Sequence, residues 1–163
     1  MNVIGFLLTA AVFAVLLILI LPVTLPETLK NSTLLIFLAV LLIYIVLHEL
    51  THGAAYKLMT RQKLTFGMTL SVAYCGVPDI YVYRRTALIS LLAPFVVFTV
   101  VFGAAAILIT DPIGKILAAF MLALHVGGCV GDLYDTILFL FRFRDPLTLM
   151  RDTGPKQTIY TRD

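Results

Sequence analysis

Charge is what this sequence has least of. Only 13% of its 163 residues are Asp, Glu, Lys or Arg, about half the 25% or so of a soluble domain. Low charge together with high apolar content excludes a disordered chain, which is polar and carries a high net charge. A net charge of only +3 excludes a nucleic-acid binder, whose phosphate contacts need a concentrated basic surface. Cysteine is also scarce. Cys75 and Cys129 lie far apart and make no spaced framework of the kind that staples small secreted domains. No Lys or Arg precedes the first apolar run, and no small-x-small site follows it before Pro22, so that run lacks the marks of a cleaved signal peptide.

What fills the chain instead is hydrocarbon. Apolar residues make up 61% and mean hydropathy is +1.03, which describes an integral membrane protein with the lipid bilayer as its first partner. About twenty apolar residues are needed to cross the hydrocarbon core as a helix. Four stretches qualify: residues 3–21, 34–59, 86–109 and 116–141. The expected fold is therefore an all-α membrane protein, a single integral domain over residues 1–163 with four transmembrane helices, because lipid leaves no partner for unpaired backbone groups. Basic residues collect on the cytoplasmic side of such bundles. Lys57, Arg61, Lys63, Arg84 and Arg85 follow the second span, and Arg142, Arg144, Arg151, Lys156 and Arg162 follow the fourth, against only Lys30 and Lys115 in the other loops. That bias puts the protein in the cell membrane with both termini, and the tail 142–163, in the cytoplasm.

Between the second and third spans, Leu64 to Tyr74 alternates large apolar with small or polar residues, the period of an extended strand. Cys75-Gly76-Val77-Pro78-Asp79 reads as a turn and Ile80 to Tyr83 as a returning strand, giving a short β-hairpin on the cytoplasmic side. Such a hairpin offers either an edge for an extended peptide or an apolar face to rest on the bilayer. The tail is polar, with one short strand candidate at Thr158 to Tyr160.

Polar residues inside a membrane span are costly, so each is a candidate for function. His48-Glu49-Leu50-Thr51-His52 concentrates three of them. The chain has three histidines and two glutamates in all, and this pentapeptide uses three of those five. On a helix, residues four apart share a face, so both imidazoles can grip one Zn²⁺, and Glu49 stands beside them as a general base toward water. A catalytic zinc takes three protein ligands, so one more must come from elsewhere, and depth selects it. At 1.5 Å per residue, His48 and His52 lie about 21 and 27 Å from Leu34, while Asp132, Asp135 and His125 lie about 24, 28 and 14 Å along the fourth span. Asp132 matches best, Asp135 remains open, and His125 falls too far out. His125 is read either as lining a cavity above the metal or as a buried histidine bonded to a backbone carbonyl. Asp135 is read as a supporting partner. Gly127, Gly128 and Gly131, with Gly53, Ala54 and Ala55 on the second span, would let the two helices approach closely. Pro94 is expected to kink the third span.

On these residues the sequence resembles a family of small bacterial membrane proteins known as putative zincin peptidases, related in plan to site-2 proteases. The features that carry the likeness are the His48 to His52 pentapeptide, the hairpin region through Tyr74-Cys75, the Gly131-Asp132 pair and Arg151-Asp152-Thr153-Gly154-Pro155. The likeness implies His48, His52 and Asp132 as zinc ligands, Glu49 as the catalytic glutamate and a transmembrane protein as substrate. Gly131-Asp132-Leu133 stands here where site-2 proteases carry Asn-Pro and Leu-Asp-Gly signatures. The alternative in a different class is a membrane module in which the metal only staples two helices, for sensing or for holding a partner. A structural metal site of that kind has four protein ligands and no water.

Overall fold

A computed structural model describes residues 3–20, 31–69 and 73–161. Residues 21–30, with Lys30 and the end of the first expected span, lie outside the described residues, as do residues 70–72 within the expected strand and Arg162 in the tail. In chain order the elements are α1 (Val3–Ile20), α2 (Asn31–Thr60), β1 (Thr65–Met68), β2 (Ala73–Gly76), β3 (Val82–Tyr83), α3 (Arg84–Leu108), α4 (Pro112–Gly128), α5 (Val130–Ile137), a π-helical turn (Leu138–Arg142), β4 (Leu149–Asp152) and β5 (Gln157–Tyr160).

Two described helices are long and apolar enough to cross a membrane, Ser32–Thr60 and Arg84–Leu108. They correspond to the second and third expected spans. The fourth is broken at Cys129 into α4 and α5, and counts as a third crossing when its halves are taken together. Over the first, the apolar helix Val3–Leu19 is shorter than the usual twenty residues or so. The protein is mostly helical, with small antiparallel sheets.

Local chemistry sets the helix ends. α2 stops where Arg61 turns to φ 59°, and Lys57 reaches past the helix end to the Arg61 and Gln62 carbonyls, with Nζ 3.0 Å from Gln62 O. That is a favourable place for a cation, at the negative end of the helix dipole. α4 begins on Asp111-Pro112. The Asp111 carboxylate accepts the Gly114 amide at 2.7 Å, and proline fits the first turn because its missing N–H would have had no partner there.

The chain divides into two compact units. The first comprises Met1–Tyr44 and Phe95–Val130, where α1 packs on α4 with the Phe13 and Phe120 rings edge to face at 4.9 Å. Gly127 makes this contact possible, since a Cβ there would overlap Thr9 and the Gly5 carbonyl of α1. Gly127 therefore serves α1 and not, as expected, the approach of the fourth span to the second. Gly131 does not serve that approach either, because a Cβ on it would meet open space. His125 also lies in this unit, fully buried. Its Nδ1 is 2.9 Å from the Tyr44 hydroxyl and its Nε2 is 3.1 Å from the Phe95 carbonyl, the backbone-bonded reading of the two.

The second unit comprises Ile45–Pro94 and Gly131–Asp163. Its core gathers Tyr56, Val77, Val82, Ala87, Leu91, Phe139 and Met150. Here the β-structure departs from expectation. The run Leu64 to Tyr74 is not one strand, because it folds back on itself and pairs β1 with β2 from Thr65↔Gly76 to Met68↔Ala73. Gly67 faces Tyr74 in that register, and the Tyr74 ring occupies the place where a Cβ would stand. The returning segment does not pair with this hairpin. A turn closed by Ile80 N to Val77 O directs Val82–Tyr83 to β4, making the antiparallel sheet β3-β4-β5. The tail supplies two of those strands, and β5 takes in the expected Thr158 to Tyr160. β4 alternates inward Met150 and Asp152 with outward Arg151, so this strand brings part of the polar tail into the core. The π-turn closes through Phe143 N to Leu138 O, and Arg84 Nε satisfies the Phe139 and Phe143 carbonyls at 3.0 and 3.1 Å.

Candidate metal centre

One turn of α2 separates His48 from His52, and their rings lie edge to face at 5.0 Å. Asp132 enters from the first turn of α5. Its Oδ2 is 3.5 Å from His48 Nε2 and 3.4 Å from His52 Nε2. A charge-assisted N–H···O bond would be shorter, about 2.7–2.9 Å. Ligand atoms held at 2.0–2.1 Å around one tetrahedral Zn²⁺ stand about 3.3–3.4 Å apart, which is the spacing found. The three donor atoms all lie within 4.8 Å of one another, and imidazole with carboxylate is a donor set that zinc favours. The residues present therefore fit the ion that the pentapeptide implied.

Nε2 of His52 faces the carboxylate because Nδ1 is occupied. Nδ1 lies 2.8 Å from the Ser90 carbonyl of α3. A carbonyl only accepts, so Nδ1 carries the proton and Nε2 presents its lone pair. Burial completes the setting: His52 and Asp132 expose 10% and 17% of their side chains. Asp135, one turn beyond Asp132, is half-buried, and among the described residues the carboxylate that joins His48 and His52 in a candidate metal group is that of Asp132.

Glu49 lies beside this group, half-buried, and its carboxylate accepts from the Cys75 backbone amide of β2. The same side of α2 carries Gly53, where a Cβ would approach Phe66 Cζ at 2.8 Å and Cys75 Sγ and Leu64 Cδ1 at 3.2 Å. Gly53 thus seats the β1-β2 hairpin directly beside Glu49. Its small size serves the hairpin rather than a second helix. Burial pushes the Cys75 thiol up to about 12, with the Glu49 and Asp152 carboxylates adding to the effect, so the sulfur stays protonated at neutral pH.

Below the site, Tyr56 is 1% exposed and donates its hydroxyl to Asp152 Oδ2 at 2.6 Å. Asp152 Oδ1 accepts the Gly154 amide at 2.8 Å, and its carbonyl accepts Val77 N at 2.9 Å. Burial raises the Asp152 pKa, although the hydrogen bonds from Tyr56, Gly154 and Gln157 pull it back. This latch fastens the C-terminal sheet to the helix that bears both histidines. Sequence reasoning noted Asp152-Thr153-Gly154 and gave it no role, and it passed over Tyr56 and the Ser90 carbonyl. The available signals were an Asp-x-Gly turn and a proline one helical turn after Ser90.

No curated protein and no solved structure matches the chain. The family described as putative zincin peptidase matches residues 40–145, which takes in the pentapeptide, the hairpin, α3 and Asp132. A zincin is a zinc metallopeptidase, the chemistry for which two imidazoles and a carboxylate on adjoining helices are suited. With that match covering well over half of its length, this chain belongs to the putative zincin peptidase family.

Proposed function

We propose that the protein is an intramembrane zinc metallopeptidase that cuts peptide bonds in or near the transmembrane segments of other proteins. It would form one integral domain of four crossings, with both termini and the hairpin on the cytoplasmic side, as the bias of Lys and Arg supports. The observation that carries this reading is the convergence of His48, His52 and Asp132, with Asp132 Oδ2 3.5 and 3.4 Å from the two Nε2 atoms and the Glu49 carboxylate alongside. Three converging protein donors are the number a catalytic zinc site would use, whereas a stapling site would draw on four.

His48 and His52 would hold the ion through Nε2, and Asp132 through Oδ2. The chemistry that zinc supplies when bound is Lewis acidity, which lowers the pKa of a neighbouring water and polarises a peptide carbonyl. Glu49 would act as the general base, taking a proton from the attacking water as the water oxygen adds to the peptide carbonyl carbon, and would deliver that proton to the amide nitrogen as the C–N bond breaks. The Cys75 amide orients the Glu49 carboxylate for both transfers. A substrate helix must unwind first, since its carbonyls are already hydrogen-bonded, and the hairpin beside Glu49 is placed to keep the segment extended.

Metal analysis and a cleavage assay on membrane peptides test this together. Glu49→Gln in detergent-purified protein keeps full zinc occupancy and loses about 10²–10⁴ in turnover, the usual worth of a general base. His48→Ala loses both zinc and turnover. Full zinc retention in the His48 variant would remove it from the ligand set.

A further inference from the structure

We infer that Pro94 is a positioning residue for His52, acting by freeing the carbonyl that orients the imidazole. The inference rests on the metal reading above and extends it to a residue that touches no ligand atom. In an α-helix each carbonyl accepts the amide four residues on. α3 runs unbroken from Arg84 to Leu108 with Pro94 inside it, and the residue four before Pro94 is Ser90. Proline has no N–H, and its ring crowds the carbonyl four residues back, so the Ser90 oxygen loses its helical partner. Ser90 is fully buried, which closes off water as a substitute. His52 Nδ1 takes the place at 2.8 Å.

The consequence reaches the ion. With its Nδ1 proton committed to Ser90 O, the imidazole has a single tautomer, and Nε2 faces Asp132 Oδ2 at 3.4 Å. An amide restored at position 94 would draw the Ser90 carbonyl back onto the helix axis and share it. The ring would then be held less firmly and would sample the tautomer that puts a proton where the metal belongs. Interior proline is the costliest residue for a helix, and here the bond it forfeits is recovered by a ligand.

The test uses the full chain in detergent, with zinc titrated against a competing chelator and histidine nitrogens observed by ¹⁵N NMR. Metal-free wild type shows His52 protonated at Nδ1. Pro94→Ala weakens zinc binding about tenfold, the lower end for loss of a group that orients a ligand, and mixes the His52 tautomers. The metal-free Tm of the variant is unchanged or raised, because the helix regains a hydrogen bond. Weaker metal binding with an undiminished fold separates positioning from packing, which would lower both. Wild-type affinity in Pro94→Ala overturns the inference, and so does a lowered metal-free Tm alongside weaker binding. Should the variant fail to fold, a wild-type His52 protonated at Nε2 overturns it without any substitution. If wild type itself binds no zinc, the metal reading falls, an outcome distinct from failure of the proline's role.

Discussion

Asp132 and Asp135 are one helical turn apart, and only coordinates could choose between them. The carboxylate within 3.5 Å of both imidazoles is that of Asp132. Asp132→Asn should cost about tenfold or more in zinc affinity, since loss of even an orienting partner costs that much. Asp135→Asn should leave it unchanged. Isothermal titration of the two variants decides the assignment, and equal loss in both would return Asp135 to the site. Asp152 supports a pH prediction of definite sign. Its folded pKa is raised, chiefly by burial, so its contribution to stability is complete below the unfolded value near 4 and declines as pH rises through the folded one. Wild type should therefore hold its largest margin over Asp152→Asn at acid pH and a smaller one at neutral pH. Thermal unfolding across that range measures it, and a margin that grows with pH refutes the assignment.

Much of this residue chemistry was legible. The His48 to His52 spacing carries its own helical geometry, because residues four apart share a face in any α-helix. Depth counting, with its fixed rise per residue, favoured Asp132 and left Asp135 open, because helix boundaries read from sequence shift by a residue or more. The Tyr56–Asp152 bond and the Ser90 carbonyl were not legible, because nothing local in a sequence says which distant polar group will fill a buried valence.

At the scale of elements, two glycines with opposite surroundings make a paired test. Gly154 has φ +93° and lies against the Tyr74 ring, which would overlap any Cβ. Gly154→Ala meets both strain and a clash, for a loss of about 1–3 kcal/mol. Gly131 is helical with open space around it, so Gly131→Ala should gain about 0.5–1 kcal/mol from helix propensity. Denaturant or thermal unfolding in detergent reads both signs, and a neutral Gly154→Ala would show that the Tyr74 contact does not hold the turn. The hairpin illustrates how elements defeat reading by period. Alternation predicted the strand at Thr65–Met68 but not its antiparallel pairing with Ala73–Gly76. That depended on Gly67 accepting the Tyr74 ring and on Gly53 admitting the hairpin against α2. Val82–Tyr83 found its partner in the tail because β4 offered a matching alternation of buried and exposed residues.

At the scale of the molecule, the candidate ligands come from α2 and α5, distant in sequence, so a bound ion cross-links them and should stabilise the native state. Ion at a hundred times its dissociation constant contributes about 2.7 kcal/mol. Removing it with a chelator should lower the Tm measurably, and re-adding zinc should restore it. Identical Tm with and without chelator would argue that no ion is bound.

The apolar helices long enough to cross a membrane, the mostly helical character of the chain and the candidate metal-binding pentapeptide were determined by the sequence by itself. Each follows from local rules: hydropathy over the length of a bilayer, hydrogen bonds satisfied within a helix, and two imidazoles one turn apart. The three-dimensional fold alone decided that Asp132 is the carboxylate that meets both imidazoles, that the Ser90 carbonyl meets His52 Nδ1, that Thr148, Met150 and Asp152 of the tail are buried with Asp152 latched to Tyr56, and that the hairpin lies beside Glu49. These are contacts between segments far apart along the chain, and their energies depend on distances of a few ångströms that no local pattern encodes.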